Sequence, residues 1–231
     1  MKKNTIIISP ADSNILSYFE KDYEIIQSDY LKDYISYERY HADLQAVRIN
    51  DRLFINDKCK IIIEKLNESE IKYTLCENIS AAYPDNVALN AALVGNNLIC
   101  NNKALHPKVK SYCEKTGINI IDTKQGYANC STLTVDDNSI ITDDKSIARV
   151  AIKHGIDVLE IEKGDIYLDG KAEGFIGGAS AKIGDCIYFF GDINTHRNKD
   201  EIISFINSKS TKFINISNSN LVDLGGLVII G

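Results

Sequence analysis

The stretch Leu44-Gln45-Ala46-Val47-Arg48-Ile49-Asn50-Asp51-Arg52-Leu53-Phe54-Ile55-Asn56-Asp57 reads as a β-hairpin that ends in a polar couple. Leu44, Ala46 and Arg48 alternate with Gln45, Val47 and Ile49, the period of a strand with at least one buried face. Asn50-Asp51 suits a tight turn, because both residues tolerate left-handed backbone. A helix over 57–67, with Ile62, Ile63 and Leu66 on one side, and a closing strand over 71–76 complete the unit.

The same order returns about every 45 residues, the mark of one supersecondary unit used repeatedly. The couple reappears as Asn101-Asn102, Asp143-Asp144 and Gly191-Asp192, each after an apolar strand. The second unit has strands over 87–94 and 98–100, a helix from His106-Pro107 stopped by Gly117, and a strand over 118–121. In the third, strands over 131–135 and 140–141 precede a helix over 145–154 and a strand over 156–161. The fourth has strands over 179–183 and 186–190, a helix over 199–207 and a strand over 213–216. An additional short strand and turn is expected over 166–170.

The fifth unit is split between the chain ends. Residues 221–231 supply its first strand. The N-terminus supplies a strand over 5–9, a helix over 11–20 capped by Asp12 or Ser13, and a strand over 23–27. Joining the ends closes a ring within a single domain over 1–231 and leaves no exposed terminal edge. The fold class expected is α/β, a five-bladed propeller of strand-strand-helix-strand units closed across the termini. The alternative is an open α/β sheet with right-handed crossovers. It is disfavoured because two strands precede each helix and no Gly-x-Gly-x-x-Gly joins a strand to a helix.

Composition narrows the function classes. The formal charge of −6, with no block of Lys or Arg, argues against nucleic acid and is compatible with a small cationic ligand. The apolar run near the N-terminus is too short for a secretory signal, and no run approaches the ~20 residues that span a membrane. A cytoplasmic location is expected. Cys59, Cys76, Cys100, Cys113, Cys130 and Cys186 include no Cys-x-x-Cys pair, so buried thiols are expected rather than a zinc site. No cofactor is expected.

A ring of five such units resembles the pentein superfamily of guanidine-modifying enzymes, of which this chain looks like a separate branch. Three places carry the resemblance: His41-Ala42-Asp43-Leu44, Cys130-Ser131-Thr132-Leu133 and Asp223-Leu224-Gly225-Gly226. The first is similar to the superfamily's His-x-Asp, the second holds a cysteine two units later, and the third is similar to its acidic-Gly-Gly element. Two departures stand out. Gly126-Tyr127-Ala128-Asn129 replaces the usual Gly-rich lead-in and histidine before the cysteine, and Tyr40 replaces the frequent glycine before the histidine.

The resemblance implies a cysteine-dependent hydrolase of a small guanidino compound, a deiminase or a dihydrolase. A guanidinium carbon is a poor electrophile, and a thiolate is the strong nucleophile it needs. Cys130 would attack it to form a thiouronium, His41 would be the acid and base, and Asp43 and Asp223 would hold the planar cation. The alternatives are an amidinotransferase and a non-catalytic pentein that binds a protein partner.

Each residue also has a plainer reading. Cys130 could be a packing residue, His41 the end of a loop, Asp43 a solvent-facing strand residue and Asp223 the start of a turn. The run Gly174-Phe175-Ile176-Gly177-Gly178-Ala179-Ser180 could offer backbone amides to an anion, but crowding near the axis is the preferred explanation of its glycines. His106, His154 and His196-Arg197 read as surface residues at helix ends. Tyr30, Tyr34, Tyr37 and Tyr40 read as a packed connector rather than a lid.

Overall fold

The computed structural model describes residues 3–169 and 173–230; Gly170, the last residue of the expected extra turn, lies outside the described residues. The first strand, Asn4–Ile8, pairs in parallel with Tyr23–Gln27 across helix α1 (Ser13–Glu20). On its other side it pairs antiparallel with Leu227–Ile229, in the register Ile6 with Ile229, Ile7 with Val228 and Ile8 with Leu227. The two ends of the chain therefore share one sheet.

Four more three-stranded sheets repeat that plan among the described residues. Ala46–Ile49, Arg52–Asn56 and Thr74–Cys76 form one, with α2 (Lys60–Glu68) between its last two strands. Ala92–Val94, Asn97–Cys100 and Asn119–Asp122 form the next around α3 (Pro107–Thr116). Thr132–Asp136, Ser139–Thr142 and Asp157–Glu160 follow around α4 (Lys145–Lys153). Ser180–Ile183, Cys186–Phe189 and Lys212–Asn215 complete the series around α5 (Lys199–Ser208). In every case the hairpin is antiparallel and the helix-linked pair parallel.

Local chemistry explains the helix ends. The Asp144 side chain caps α4 by accepting from Ser146 N and Ile147 N, and Asp12 accepts from Asn14 N at α1. Asp29 caps α2 from outside the helix, taking hydrogen bonds from Ile61 N at 2.9 Å and Ile62 N at 3.0 Å. Gln45, fully buried, clamps the connector before His41 through Asp29 N at 2.8 Å and Asp29 O at 2.7 Å.

Packing joins each sheet to the one before it. Ile62 and Leu66 of α2 pack with Ile7 and Ile26 of the chain-end sheet. Val109 and Cys113 of α3 pack with Val47 and Phe54, and Ile147 and Ala151 of α4 with Ile99 and Ile121. Ile202 and Ile206 of α5 pack with Leu133 and Ile141, while Ile15 and Phe19 of α1 pack with Ala181 and Phe190. Among the described residues no helix is long and apolar enough to cross a membrane.

The expected elements need correction where strands approach the centre. Strands expected from 44, 87 and 131 start later. Ala42–Leu44 and Asp85–Val87 are 3-10 turns, and Cys130 lies in a turn before Thr132. Asp43 is therefore not on an alternating strand. It is buried with its side chain among polar partners, and the bond Gln45 N to Ala42 O at 3.1 Å holds the turn. The last segment is two strands, Leu221–Val222 and Leu227–Ile229, separated by Asp223–Gly226; the first pairs with Ile166–Tyr167.

Two histidines are also corrected. His106 and His196 are buried, because each ring turns back to accept the backbone N–H two residues on, Lys108 N at 3.2 Å and Asn198 N at 3.0 Å. His154 is exposed at the end of α4 as expected. The tyrosine connector is mixed: Tyr34 is buried, while Tyr30 and Tyr40 are exposed with their rings in contact.

Phe19 joins the chain-end sheet to its neighbour, with ring centroids 5.6 Å from Tyr188 and 6.3 Å from Phe190. Phe19→Ala is expected to lower stability in urea unfolding by about 3–5 kcal/mol. Ile152→Ala, at an exposed position of α4, should stay within about 0.5 kcal/mol.

Candidate active site

Two loops that precede inner strands, and the Asp223–Gly226 loop, bring His41, Asp43, Cys130 and Asp223 into one buried cluster. A nitrogen of His41, Cys130 Sγ and a carboxylate oxygen of Asp223 all lie within 4.8 Å of one another. Cys130 Sγ donates to Asp43 Oδ2 at 2.8 Å, and His41 Nε2 stands 4.0 Å from Asp223 Oδ1. The four side chains named from sequence therefore meet, although they come from widely separated parts of the chain.

The backbone makes that meeting possible. Ser9 Oγ, at the end of the first strand, shares its proton between Tyr40 O at 2.6 Å and Leu224 O at 2.5 Å. It ties the loop before His41 to the loop after Asp223. Gly225 and Gly226 take φ of +69° and +64°, a left-handed pair that side chains disfavour. A Cβ on Gly225 would stand 2.7 Å from His41 Cβ, so the loop touches the histidine only because that position is bare. Gly178 likewise faces Asp223, where a Cβ would fall 1.9 Å from Oδ1. Crowding thus accounts for Gly178, and Gly177 faces the carbonyls of Asn129, Cys130 and Thr132 in the same way.

Asp223 is held by backbone donors, Phe175 N on Oδ2 at 2.8 Å and Gly225 N on Oδ1 at 2.9 Å. Asp43 Oδ2 also receives Asn129 Nδ2 at 3.0 Å, while Asp43 Oδ1 is buried without a partner. Asn90 orients the cysteine loop: its Oδ1 accepts Asn129 N at 2.8 Å and its Nδ2 reaches Cys130 Sγ at 3.5 Å. Asn90 has no sequence signal. It sits in a stretch expected to be strand and acts only through the turn that replaces it.

Electrostatics set the resting protonation. Burial pushes the Cys130 thiol well above its usual range, and the charges of Asp43 and Asp223 push it further. The unliganded cysteine is therefore a thiol that donates to Asp43. Burial raises the Asp43 carboxyl, opposed by His41 and by hydrogen bonds from Asn129 and Cys130. Asp143, a member of one repeated couple, adds a further acid. Burial lifts it to about 7, Lys163 opposes this, and Asp144 and Asp223 reinforce it. The sequence marked that couple as a repeat feature but not as part of the site. His41, Cys130 and Asp223 also have the donor types of a zinc site, with ligands drawn from distant loops rather than from a short motif.

Outside this cluster lies a second polar layer. Tyr127 donates its hydroxyl to Glu38 Oε1 at 2.7 Å, and Asn86 Nδ2 reaches Glu38 Oε2 and Tyr127 Oη, each at 3.1 Å. The Tyr127 ring is flanked by Tyr83 and Phe175 at centroid distances of 6.3 and 6.4 Å. A cavity of about 470 Å³ runs along the inner strands and is lined by Asp43, Asn129, Thr132, Gly177 and Gly226 among others.

A family model described as "Family of unknown function (DUF6873)" matches residues 7–228. No curated protein matches. Solved structures do. A substrate-bound Cys→Ser variant of C. jejuni agmatine deiminase is 14% identical with a TM-score of 0.55, over 99% of this chain and 93% of that one. A Cys→Ser variant of DDAH from Pseudomonas aeruginosa, in complex with citrulline, is 9% identical with a TM-score of 0.57, over 99% and 100%. ArgZ, an arginine dihydrolase of cyanobacteria, is 11% identical with a TM-score of 0.58, over 99% of this chain and 39% of that one. The shared fold is that of the pentein superfamily, and these structural neighbours are guanidino-modifying enzymes.

Asp143 supplies a pH test. Its carboxyl is raised on folding, so the folded chain binds that proton more tightly than the unfolded chain does. Stability from this group is present below the unfolded value near 4 and is lost as pH rises through about 7. Asp143→Asn removes the penalty. Urea unfolding should show the variant gaining on the parent by a few kcal/mol between pH 5 and pH 8, at about 1.4 kcal/mol per unit. An unchanged difference at the two pH values would contradict the assignment.

Proposed function

The chain belongs to the DUF6873 family, and we propose that it is a cysteine-dependent hydrolase of a small guanidino compound, a deiminase or a dihydrolase. The convergence of His41, Asp43, Cys130 and Asp223 in one buried cluster carries this reading. The fold supports it further. Five like sheets, each packed on the one before and the last joined to the first by the chain ends, fit a five-bladed pentein propeller in one domain over 1–231.

Charge selects the substrate. Asp43 and Asp223 are buried with no Lys or Arg salt bridge among the described residues, and Asp43 Oδ1 still lacks a donor. A guanidinium brings both the charge and the N–H groups that these carboxylates accept. It also resolves the protonation of Cys130. The thiol is held neutral by burial and then by the charges of Asp43 and Asp223, and a bound cation offsets those charges and favours the thiolate. The substrate thus ionises its own nucleophile, and the thiol proton passes to His41, whose ring nitrogen lies within 4.8 Å of Sγ.

Cys130 Sγ then bonds to the guanidinium carbon. One C–N bond breaks, and the departing amine leaves with a proton from His41. His41 next takes a proton from water, the hydroxide adds to the thiouronium carbon, and the C–S bond breaks to release a urea and the thiol. Holding the planar cation against sulfur supplies part of the rate through orientation. No cofactor takes part in these steps. Six unpaired cysteines fit a reducing, cytoplasmic setting. The acidic balance disfavours nucleic acid as a partner.

One observation favours a second reading. Asn129 stands where the superfamily resemblance expects a histidine beside the cysteine, and Cys130 is almost fully buried, as a protein-binding pentein without chemistry would allow. An amidinotransferase differs from the hydrolases only in using an amine acceptor. The test is to incubate the protein with arginine, agmatine and methylated arginines, with and without an amine acceptor. Ammonia, ureas and amines are assayed, and Cys130 adducts are sought by mass spectrometry. Turnover is expected, with Cys130→Ser and His41→Gln lower by roughly 100-fold or more. Absence of both turnover and a Cys130 adduct would leave the binding reading standing.

A further inference from the structure

The layer outside the cluster has its own unmet chemistry. Glu38 is buried, and both its oxygens are bonded only by neutral donors, Tyr127 Oη and Asn86 Nδ2. Among the described residues no Lys or Arg salt bridge reaches it. Asn86 is 2% exposed, and its Oδ1 is buried without a hydrogen-bond partner. Turning that amide over would set its oxygen against the Glu38 carboxylate, so the present orientation is the one the network holds. A buried anion and a buried free acceptor, side by side, lack the same thing: a cation carrying several N–H donors.

The position of this layer is regular. Glu38 precedes His41, Asn86 precedes Asn90 and Tyr127 precedes Cys130, each by about one turn of chain. Backbone bonds tie the layers together, His41 N to Glu38 O and Ser131 N to Tyr127 O, both at 3.0 Å. One turn spans about 5–6 Å, which a short alkyl chain bridges. Tyr83, Tyr127 and Phe175 add an aromatic wall that suits an alkyl stem or an ammonium.

We propose that Glu38, Asn86 and Tyr127 form a subsite for a protonated primary amine, so that the preferred substrate is a guanidinoalkylamine with a cation at each end. This rests on the guanidino reading of the inner cluster and deepens it. The ammonium donates to Glu38 and to Asn86 Oδ1, while Tyr127 keeps the carboxylate in place. A substrate with a carboxylate tail meets Glu38 as a like charge and is rejected.

Four probes of equal chain length separate the possibilities by calorimetry on the full chain carrying Cys130→Ser, which keeps a donor to Asp43 and suppresses turnover: agmatine, n-butylguanidine, 4-guanidinobutyrate and 1,4-diaminobutane. Agmatine is expected to bind about 10- to 100-fold more tightly than n-butylguanidine, the range of one charge-assisted hydrogen bond. 4-Guanidinobutyrate should bind most weakly of the guanidines. Glu38→Gln should erase the preference for agmatine. Tyr127→Phe, which leaves the carboxylate but frees one oxygen, should reduce it by a smaller factor, and melting of each unliganded variant checks the fold. Guanidines that bind equally, or a preference for the carboxylate tail, overturn the subsite and leave the inner-cluster reading intact. Diaminobutane binding that depends on Glu38, with no guanidine bound, supports the subsite and overturns the guanidino reading. Failure of all four probes overturns both.

Discussion

The pairing of Asn4–Ile8 with Leu227–Ile229 is the constraint from which the site follows. Asp223 and His41 belong to opposite parts of the chain. They come within 4.0 Å because one sheet takes strands from both ends. Ser9 then uses a single hydroxyl to bind the two loops that leave that sheet. Without the pairing, the His41 loop would lose both its carboxylate neighbour and its fixed position.

Burial then determines what the cluster can accept. Asp43, Asp223, Asp143 and Glu38 are all largely withdrawn from water. Backbone or neutral side-chain donors replace part of the lost hydration of Asp43, Asp223 and Glu38, but Asp43 Oδ1 and Asp143 Oδ1 are left without a partner. Burying a charge without an opposite charge is costly, and buried acids answer by holding protons or attracting cations. Asp143 illustrates the first response and the neutral thiol of Cys130 a related one. A cationic ligand is the second. These acids are buried, while Lys163 is exposed, with its Nζ 5.5 Å from the centroid of the Phe175 ring.

Much of the architecture was legible because hairpins and helices carry their own periodicity. Strands such as Arg52–Asn56 and helices such as α3, bounded by Pro107 and Gly117, followed from local pattern and turn chemistry. The candidate side chains His41, Asp43, Cys130 and Asp223 were legible through short motifs at equivalent places in the units. The approach to the centre was not. There the alternation of Leu44 and Gln45 suggested a strand, yet the fully buried Gln45 amide bonds the Asp29 backbone and a 3-10 turn results. Polar residues that turn inward break the pattern from which a strand is read. For the same reason Glu38, Asn86 and Asn90 left no trace. Each is defined by partners distant in sequence. His106 and His196 misled because polar neighbours imply a surface, whereas the His106 ring folds back to cap the start of α3 and the His196 ring accepts Asn198 N just before α5.

The depth of the carboxylates has a consequence for ionic strength. Mobile ions screen charges that face bulk solvent over about 8–10 Å, but they cannot enter a packed interior. A site of surface acids would lose its hold on a cation as salt rises. For the cation proposed above, the attraction would act after the ligand has left the solvent, so discrimination between cationic and anionic compounds would persist in brine, and salt would alter chiefly the rate of encounter.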